Sequence, residues 1–404
     1  MTDLPLKADI VIIGGAAIGS SIAYHLAAHP LFNGSVLVIE KDPTYQRAAS
    51  ALSAASIRQQ YSSAINIRIS LYGIAFLRAI GQHLQVEGEA PVLDLHEGGY
   101  LYLASGAGHA VLAENFAVQN AEGADIAWFD RAGLAAQFPW LRVDDLDCGT
   151  WGRRGEGWFD GWALMQAFRR KARSLGVRYV QDEVTGIEKA GSRIQGVRLA
   201  SGAVVNCPLV INAAGAQGQA VAAMAGVDIP VVPKKRFVYT FHCKTALAGV
   251  PLLIDPSGAW CRPEGHADAS GQLYIGSIGP SEGDDDPEMA ADDFDVDPHL
   301  FEERLWPALA HRIPAFEEIR PGRAWAGPYD MNLFDHNAIL GPVPQVDGFL
   351  LANGFSGHGL QQSPAVGRGL AEYAIFGAYQ TLDLSDLGFD RIKAHRPVLE
   401  KCVI

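Results

Sequence analysis

The segment from Asp9 to Glu40, DIVIIGGAAIGSSIAYHLAAHPLFNGSVLVIE, restricts what this chain can fold into more than any other stretch. Ile10 to Ile13 is apolar and β-branched, as a buried parallel strand requires, and the glycines after it lead into a helix with Ile18, Ile22 and Leu26 on one face. A second apolar strand, Val36 to Ile39, ends at Glu40, 21 residues after Gly19. That is where a dinucleotide-binding βαβ unit places the carboxylate that receives the adenosine ribose hydroxyls. Gly14 permits the tight turn and Gly19 lets helix and strand pack closely. The amides of the helix start, around Gly15, Ala16, Ala17 and Ile18, meet a pyrophosphate at the positive end of the helix dipole. The middle fingerprint position is Ala16 rather than glycine; its methyl crowds the phosphate approach, and the small neighbours Gly15 and Ala17 offset that. A glycine pattern alone also fits an ordinary turn, but strand, helix, second strand and terminal Glu together point to dinucleotide binding.

With 404 residues and 49% hydrophobic content the chain can bury a large core, and its length favours two domains. No apolar run reaches the roughly 18 to 20 residues of a membrane helix, and the apolar start is used by the first strand. No signal peptide is therefore expected, and the cytoplasm is the expected compartment. The cysteines Cys148, Cys207, Cys243, Cys261 and Cys402 are scattered, odd in number and without a CxxC pair, which argues for reduced thiols. A net charge of −13 disfavours nucleic acid or an anionic membrane as partner. The local cluster Lys234, Lys235, Arg236 then reads as a solvated edge or a cofactor-side contact. The stretch SEGDDDPEMAADDFDVDP, residues 281–298, reads as a solvated loop; its carboxylates lack the spacing of a calcium loop, and no metal is expected.

After Glu40 the segment RAASALSAASIRQQYSS contains Ser50, Ser53, Ala54, Ala55 and Ser56, side chains too small for core and suited to a loop that lets backbone approach a bulky ligand. Helices are expected over 64–84, with Ile65, Ile69, Tyr72 and Phe76 on one face, over 110–119, and over 160–175 with Asp160 as its start. An extended pattern runs from Val92 to Leu103. The short strands Val177 to Val180, Val184 to Glu188, Gly196 to Leu199 and Val204 to Asn206 lead to PLVINAAGA. There a buried strand, Leu209 to Asn212, ends in Ala213, Ala214 and Gly215, small enough to sit against a ligand. Phe237 to Cys243, Leu252 to Ile254, Ala259 to Arg262 and Leu273 to Ser277 alternate as an antiparallel sheet does. Finally Phe349 to Ala352 runs into Gly354, Phe355, Ser356, Gly357, His358 and Gly359, with a helix expected from about Ser363-Pro364. That loop presents amides and a helix start to something electron-rich, such as the N1/O2 edge of a reduced flavin.

GGAAIG, NAAG and GFSGHG, in this order and at these separations, resemble the FAD-dependent amine and amino-acid oxidoreductases of the D-amino acid oxidase, sarcosine oxidase and dimethylglycine dehydrogenase group. The resemblance runs the length of the chain. IRQQYS, RAWAGPYDMNLFDHNAILGP and GFSGHGLQQSP are most similar to the branch of mitochondrial FAD-dependent oxidoreductase-domain proteins. It implies an α/β (α+β) fold in which a Rossmann-like FAD-binding domain, residues 1–85, 150–225 and 333–404, is interleaved with a mainly antiparallel substrate domain, residues 86–149 and 226–332. Lys41, Val184, Gly327, Leu360 and Gln361 join the residues above as implied cofactor contacts. The reaction implied is oxidation of a C–N bond, hydride leaving the carbon beside a neutral amine for flavin N5 to give an imine that water hydrolyses.

The resemblance also assigns roles. Arg58, with Tyr61 in the Arg-x-x-Tyr pattern, matches the substrate-carboxylate arginine of sarcosine oxidases, and a guanidinium suits bidentate carboxylate binding. Two residues after GFSGHG those oxidases carry a second cationic anchor, a lysine, where this chain has Gln361. The lysine that promotes their oxygen reaction corresponds to Tyr274 here. No cysteine stands in GPYDMNLFD before Asp335, and no histidine lies between Arg47 and Tyr61, so FAD is expected to be non-covalent. His358 either touches the ring or serves the loop. Tyr239, Trp260, Tyr274, Trp325 and Tyr329 are candidates for an aromatic substrate cage, and Arg262 for a second carboxylate contact. Arg58, His358 and Tyr274 are thus the catalytic candidates. The substrate implied is a small amino acid or amine, secondary or N-methylated. A 2-hydroxy acid dehydrogenase on the same scaffold and a flavin-bound assembly protein with little turnover are the alternatives. The electron acceptor, whether oxygen, a quinone or a flavoprotein, is not named by the sequence.

Overall fold

The computed structural model describes residues 4–280, 285–290 and 293–401; Cys402 and parts of the acidic stretch, 281–284 and 291–292, lie outside the described residues. Strand Ile10–Ile13 is buried on both faces, because Ile10 and Ile12 enter one apolar cluster while Val11 and Ile13 enter another. It pairs in parallel with Val36–Glu40 on one side and Leu209–Asn212 on the other. The parallel set continues outward to Arg178–Gln181 and, past Leu209–Asn212, to Val346–Asn353. Helices Ala17–Ala28, Gly161–Ser174 and Gly359–Phe376 cover one face, and the antiparallel strands Val184–Ala190, Arg193–Leu199 and Val204–Asn206 extend the sheet.

Gly14 and Gly19 explain how strand and helix meet so closely. Gly14 has φ +95°, and a Cβ there would lie 2.4 Å from the Ala213 carbonyl oxygen. A Cβ on Gly19 would lie 1.9 Å from the Gly14 oxygen. Asp160 caps its helix as expected, its carboxylate accepting from the Ala163 amide at 2.9 Å. The helix expected over 64–84 breaks at Ala79 into Ala64–Arg78 and Ile80–Leu84. The last helix begins at Gly359 rather than near Ser363, so Pro364 lies inside it. Pro364 has no amide for the Leu360 carbonyl four residues back; the Ser363 hydroxyl donates to that carbonyl instead, at 2.8 Å.

The second sheet runs Ile319–Asn332, Val231–Cys243, Gly271–Ile278, Ala259–Asp268, Leu252–Ile254, Tyr100–Ala104, Cys148–Gly152, Ile126–Asp130. Its pairings are antiparallel except that of Leu252–Ile254 with Tyr100–Ala104. Strand Cys148–Gly152 belongs wholly to this sheet although the expected domain boundary falls within it. One face packs on Phe301, Leu305, Leu309 and Phe316; the other turns to the ends of the parallel strands. No described helix is long and apolar enough to cross a membrane.

Gly14→Ala tests the crossing of strand and helix. The strained backbone and the collision with Ala213 are expected to cost about 1–3 kcal/mol, measured as a shift in the urea midpoint, and to weaken retention of the expected dinucleotide during gel filtration.

Candidate active site

Between the two sheets lies a cavity of about 980 Å³, at the upper end of the ~300–1,000 Å³ usual for small-molecule sites. At one end Glu40 closes the second parallel strand. Its carboxylate accepts from the Gly15 amide at 2.8 Å and from the Asp42 amide at 2.9 Å, which fixes it on the cavity wall. Gly14, Ala16, Ile18, Lys41 and Val184 line the same end. Gly15, Ala17 and Gly19 do not: Gly15 spends its amide on Glu40, Ala17 is buried beneath Ser50, and Gly19 rests on Gly14. These three shape the turn. Ser50, Ser53, Ala54, Ala55 and Ser56 form one wall, with Ala213, Ala214, Gly215 and Gly327 on others.

At the other end the loop from Phe355 to Gln361 lines the cavity, while Gly354, at φ +72°, packs against Val231 and Asn332 instead. Strand Ile319–Asn332 staples this loop in place. The Asp330 carboxylate accepts from the Phe355 amide at 3.0 Å, the Ser356 hydroxyl accepts from the Asn332 amide at 3.0 Å, and the Tyr329 hydroxyl donates to the Ser356 carbonyl. Burial pushes the Asp330 carboxyl up to about 6, the Phe355 amide pulling the other way.

Arg58 is buried beside this loop and lines the cavity. Its amide donates to the Gln361 side-chain oxygen at 2.8 Å, its guanidinium lies 3.0 Å from His358 Nε2 and stacks 4.4 Å from the centre of the Tyr61 ring. An arginine can only donate, so His358 Nε2 accepts and the ring carries its proton on Nδ1. That Nδ1 is buried and has no partner among the described residues. Burial and the Arg58 charge hold His358 well below the ordinary histidine range. The imidazole is thus a neutral donor on the cavity wall. Gln361 spends its other end on the Tyr61 hydroxyl, so it clamps the Arg58 loop rather than replacing a cationic anchor. Tyr61 is under Arg58, not in the cavity.

Sequence reasoning missed what holds this loop from behind. The buried Glu156 carboxylate accepts from the Gln59 amide at 2.5 Å, the Gln60 amide at 3.0 Å and the Gln60 side chain at 2.8 Å. Burial pushes its pKa up to about 7 against those three donors. Arg236 was also missed as a single residue: it lines the cavity, stacks 5.1 Å from the Tyr329 ring centre and pairs with Asp286 at 2.7 Å. Arg236 is half-buried and its neighbours are buried, Lys234 pairing with Asp285 at 2.8 Å and Lys235 with Asp293 at 2.7 Å. The basic cluster is therefore no solvated edge, and the described acidic residues opposite it are its counter-charges.

Trp260, Tyr329 and Gln361 line the cavity as expected of substrate candidates; Tyr239, Tyr274, Arg262 and Trp325 do not. Tyr239 and Tyr274 point to the opposite face of the sheet. Tyr239 donates to the Asp297 carbonyl, and Tyr274 stacks on Phe241 and meets Phe316 in the core. A strand sends alternate residues to opposite faces, so Val238 and Ser277 take the cavity positions instead. Arg262 is engaged by Glu264 at 2.5 Å and by the Ala54 carbonyl at 2.7 Å. The Trp325 indole donates to the Leu52 carbonyl at 2.9 Å. Among the described residues no group of three metal-ligating side chains stands together.

A family described as FAD dependent oxidoreductase matches residues 9–373. The chain belongs to that family. This oxidoreductase is 41% identical to FAD-dependent oxidoreductase domain-containing protein 1 of Xenopus laevis, over 99% of its own length and 85% of the relative's. It is 26% identical to the mitochondrial sarcosine dehydrogenase of Homo sapiens, over 93% of its length but 40% of that protein's. Its fold matches the crystal structure of L-proline dehydrogenase from P. horikoshii with a TM-score of 0.81 at 24% identity, covering 98% and 100% of the two chains. FAD is its cofactor. The residues fit that group: Glu40 on the cavity wall would receive its ribose hydroxyls, the glycine turn opens onto the cavity at Gly14, and the orphaned His358 Nδ1 would donate to its ring.

Glu156→Gln tests the clamp behind Arg58. In the folded protein Glu156 holds its proton up to about pH 7, against an ordinary value of 4.5. Between those values the unfolded chain is the more ionised, so this group makes the protein lose stability as pH rises through that window. Urea titrations are expected to show the wild type falling relative to the variant from pH 5 to 7, with a slope of up to about 1.4 kcal/mol per pH unit. A pH-independent difference would contradict the assignment.

Proposed function

We propose that this oxidoreductase oxidises the C–N bond of an amino acid, with a secondary or N-methylated amine, and that Arg58 holds the substrate carboxylate. The observation that carries the reading is a buried guanidinium on the cavity wall, held in register with the 355–361 loop by His358 and Gln361. The names of two relatives, a sarcosine dehydrogenase and a proline dehydrogenase, support a secondary amine. Bound FAD supplies the two-electron acceptor, held without a covalent bond.

The chain's own residues have to bind, orient and keep water out. A carboxylate placed on Arg58 would put the adjacent carbon beside the loop that begins at Phe355. His358 stays neutral beside the guanidinium, so it adds no second positive charge to repel an amine and offers its Nδ1 proton as a donor. It is a donor rather than a base. The amine must therefore arrive uncharged, its proton left to solvent, because among the described residues no buried carboxylate other than Asp330 lines that end and Asp330 is engaged by the Phe355 amide.

Arg58→Ala is expected to lower kcat/KM by 30-fold or more, the equivalent of about 2–5 kcal/mol for losing one partner of a buried charge pair, with the flavin spectrum retained. Anaerobic mixing with N-methyl amino acids should bleach the oxidised flavin; bleaching by 2-hydroxy acids alone would overturn the C–N reading. Acid precipitation should release the yellow colour into the supernatant, and colour that stays with the pellet would mean a covalent bond. Peroxide yield during aerobic turnover separates oxygen from another electron acceptor.

A further inference from the structure

The cavity wall supplied by the second sheet is apolar across several strands. Ser277 is opposite Trp260 on the neighbouring strand, and Trp260 is opposite Ile254 on the next. Neighbouring strands lie about 4.8 Å apart, so this row spans roughly 10 Å. Leu252, paired with Tyr100, forms a second row beside it, and Val238 adds another apolar side chain. All six line the cavity and none carries a charge. Ser277 Oγ is buried and has no partner among the described residues.

We infer that this wall is a side-chain chamber, and that the substrate is an amino acid with a bulky, uncharged, apolar side chain rather than a glycine derivative. The inference rests on the amino-acid reading above and deepens it. A substrate such as sarcosine has nothing to place against Leu252, Ile254 and Trp260, and leaves their apolar surface in contact with water. A branched aliphatic or aromatic side chain covers it. An ammonium, guanidinium or carboxylate on the side chain would be buried against these six uncharged side chains, and Arg236, two residues before Val238 on the same face, is already paired with Asp286, which disfavours it. Ser277 allows one neutral hydrogen-bonding group at the end of the row that the hydroxyl occupies.

The test is the rate of anaerobic flavin reduction in the purified holoprotein as a function of substrate concentration. The panel is sarcosine and both enantiomers of N-methylalanine, N-methylleucine, N-methylphenylalanine, N-methyllysine and N-methylaspartate, with 2-hydroxy acids of the same side chains alongside. One methylene in an apolar pocket discriminates about 10- to 200-fold. The second-order rate constant is expected to rise at least about tenfold from sarcosine to N-methylleucine or N-methylphenylalanine, and to fall to the sarcosine level or below for the charged side chains. Ile254→Ala, judged folded by its retained flavin spectrum, should shrink the gap between N-methylleucine and sarcosine. Sarcosine reacting as well as the bulky substrates would overturn the chamber while leaving the C–N reading intact. If hydroxy acids alone reduce the flavin, the C–N reading fails, and the same side-chain ranking among them still supports the chamber whereas a flat ranking overturns it. Reduction by none of them overturns both.

Discussion

The rest of the structure depends on one close crossing of backbone. At Gly14 the chain leaves the first strand with a positive φ, under the Ala213 carbonyl and against Gly19 of the following helix, at separations that admit no side chain. That contact sets the neighbouring elements Ile10–Ile13 and Ala17–Ala28 against the distant strand Leu209–Asn212. Val346–Asn353 then adds to the far side of Leu209–Asn212 and delivers the 355–361 loop to the same sheet end. The ends of these parallel strands, with that of Val36–Glu40, thus open onto one cavity, as ligand sites in open α/β sheets do.

The second constraint is the burial of Arg58. A guanidinium taken from water needs partners, and the fold sets Tyr61 beneath it and His358 beside it, while Gln361 holds the Arg58 amide and Glu156 the two amides that follow. Each partner carries a cost of its own. His358 is kept neutral, and Glu156 holds its proton to about pH 7. These perturbed groups cluster at one end of the cavity, where binding and catalysis need groups that water cannot reach.

Much of this was legible in the sequence because it rests on local chemistry. The βαβ unit is carried by glycine sterics and β-branched runs, the helix at Asp160 by its cap, and the flavin loop by its glycines. What escaped depends on packing across the sheet. Aromatic character marks Tyr239 and Tyr274 as interesting, but only the phase of the pleat decides that they enter the core and that Val238 and Ser277 face the cavity. For Lys234 to Arg236 a solvated edge and a cofactor-side contact both stayed open, because their counter-charges lie some 50 residues on in the chain, at Asp285, Asp286 and Asp293. Glu156 carried no motif at all; its three donors come from residues almost 100 positions earlier. Pro364 misplaced a helix start because a serine hydroxyl replaced the missing amide.

The central claim is that one continuous cavity holds FAD from Glu40 to the 355–361 loop and brings the substrate carboxylate to Arg58 at the ring end. X-ray diffraction from crystals of the yellow protein, soaked with a non-oxidisable carboxylate that competes with substrate, tests it most directly. The account predicts density for the ribose within hydrogen-bonding distance of Glu40, the flavin ring beside His358, and the carboxylate paired with the Arg58 guanidinium. A flavin ring lying at the Glu40 end, or a carboxylate bound away from Arg58, would contradict it.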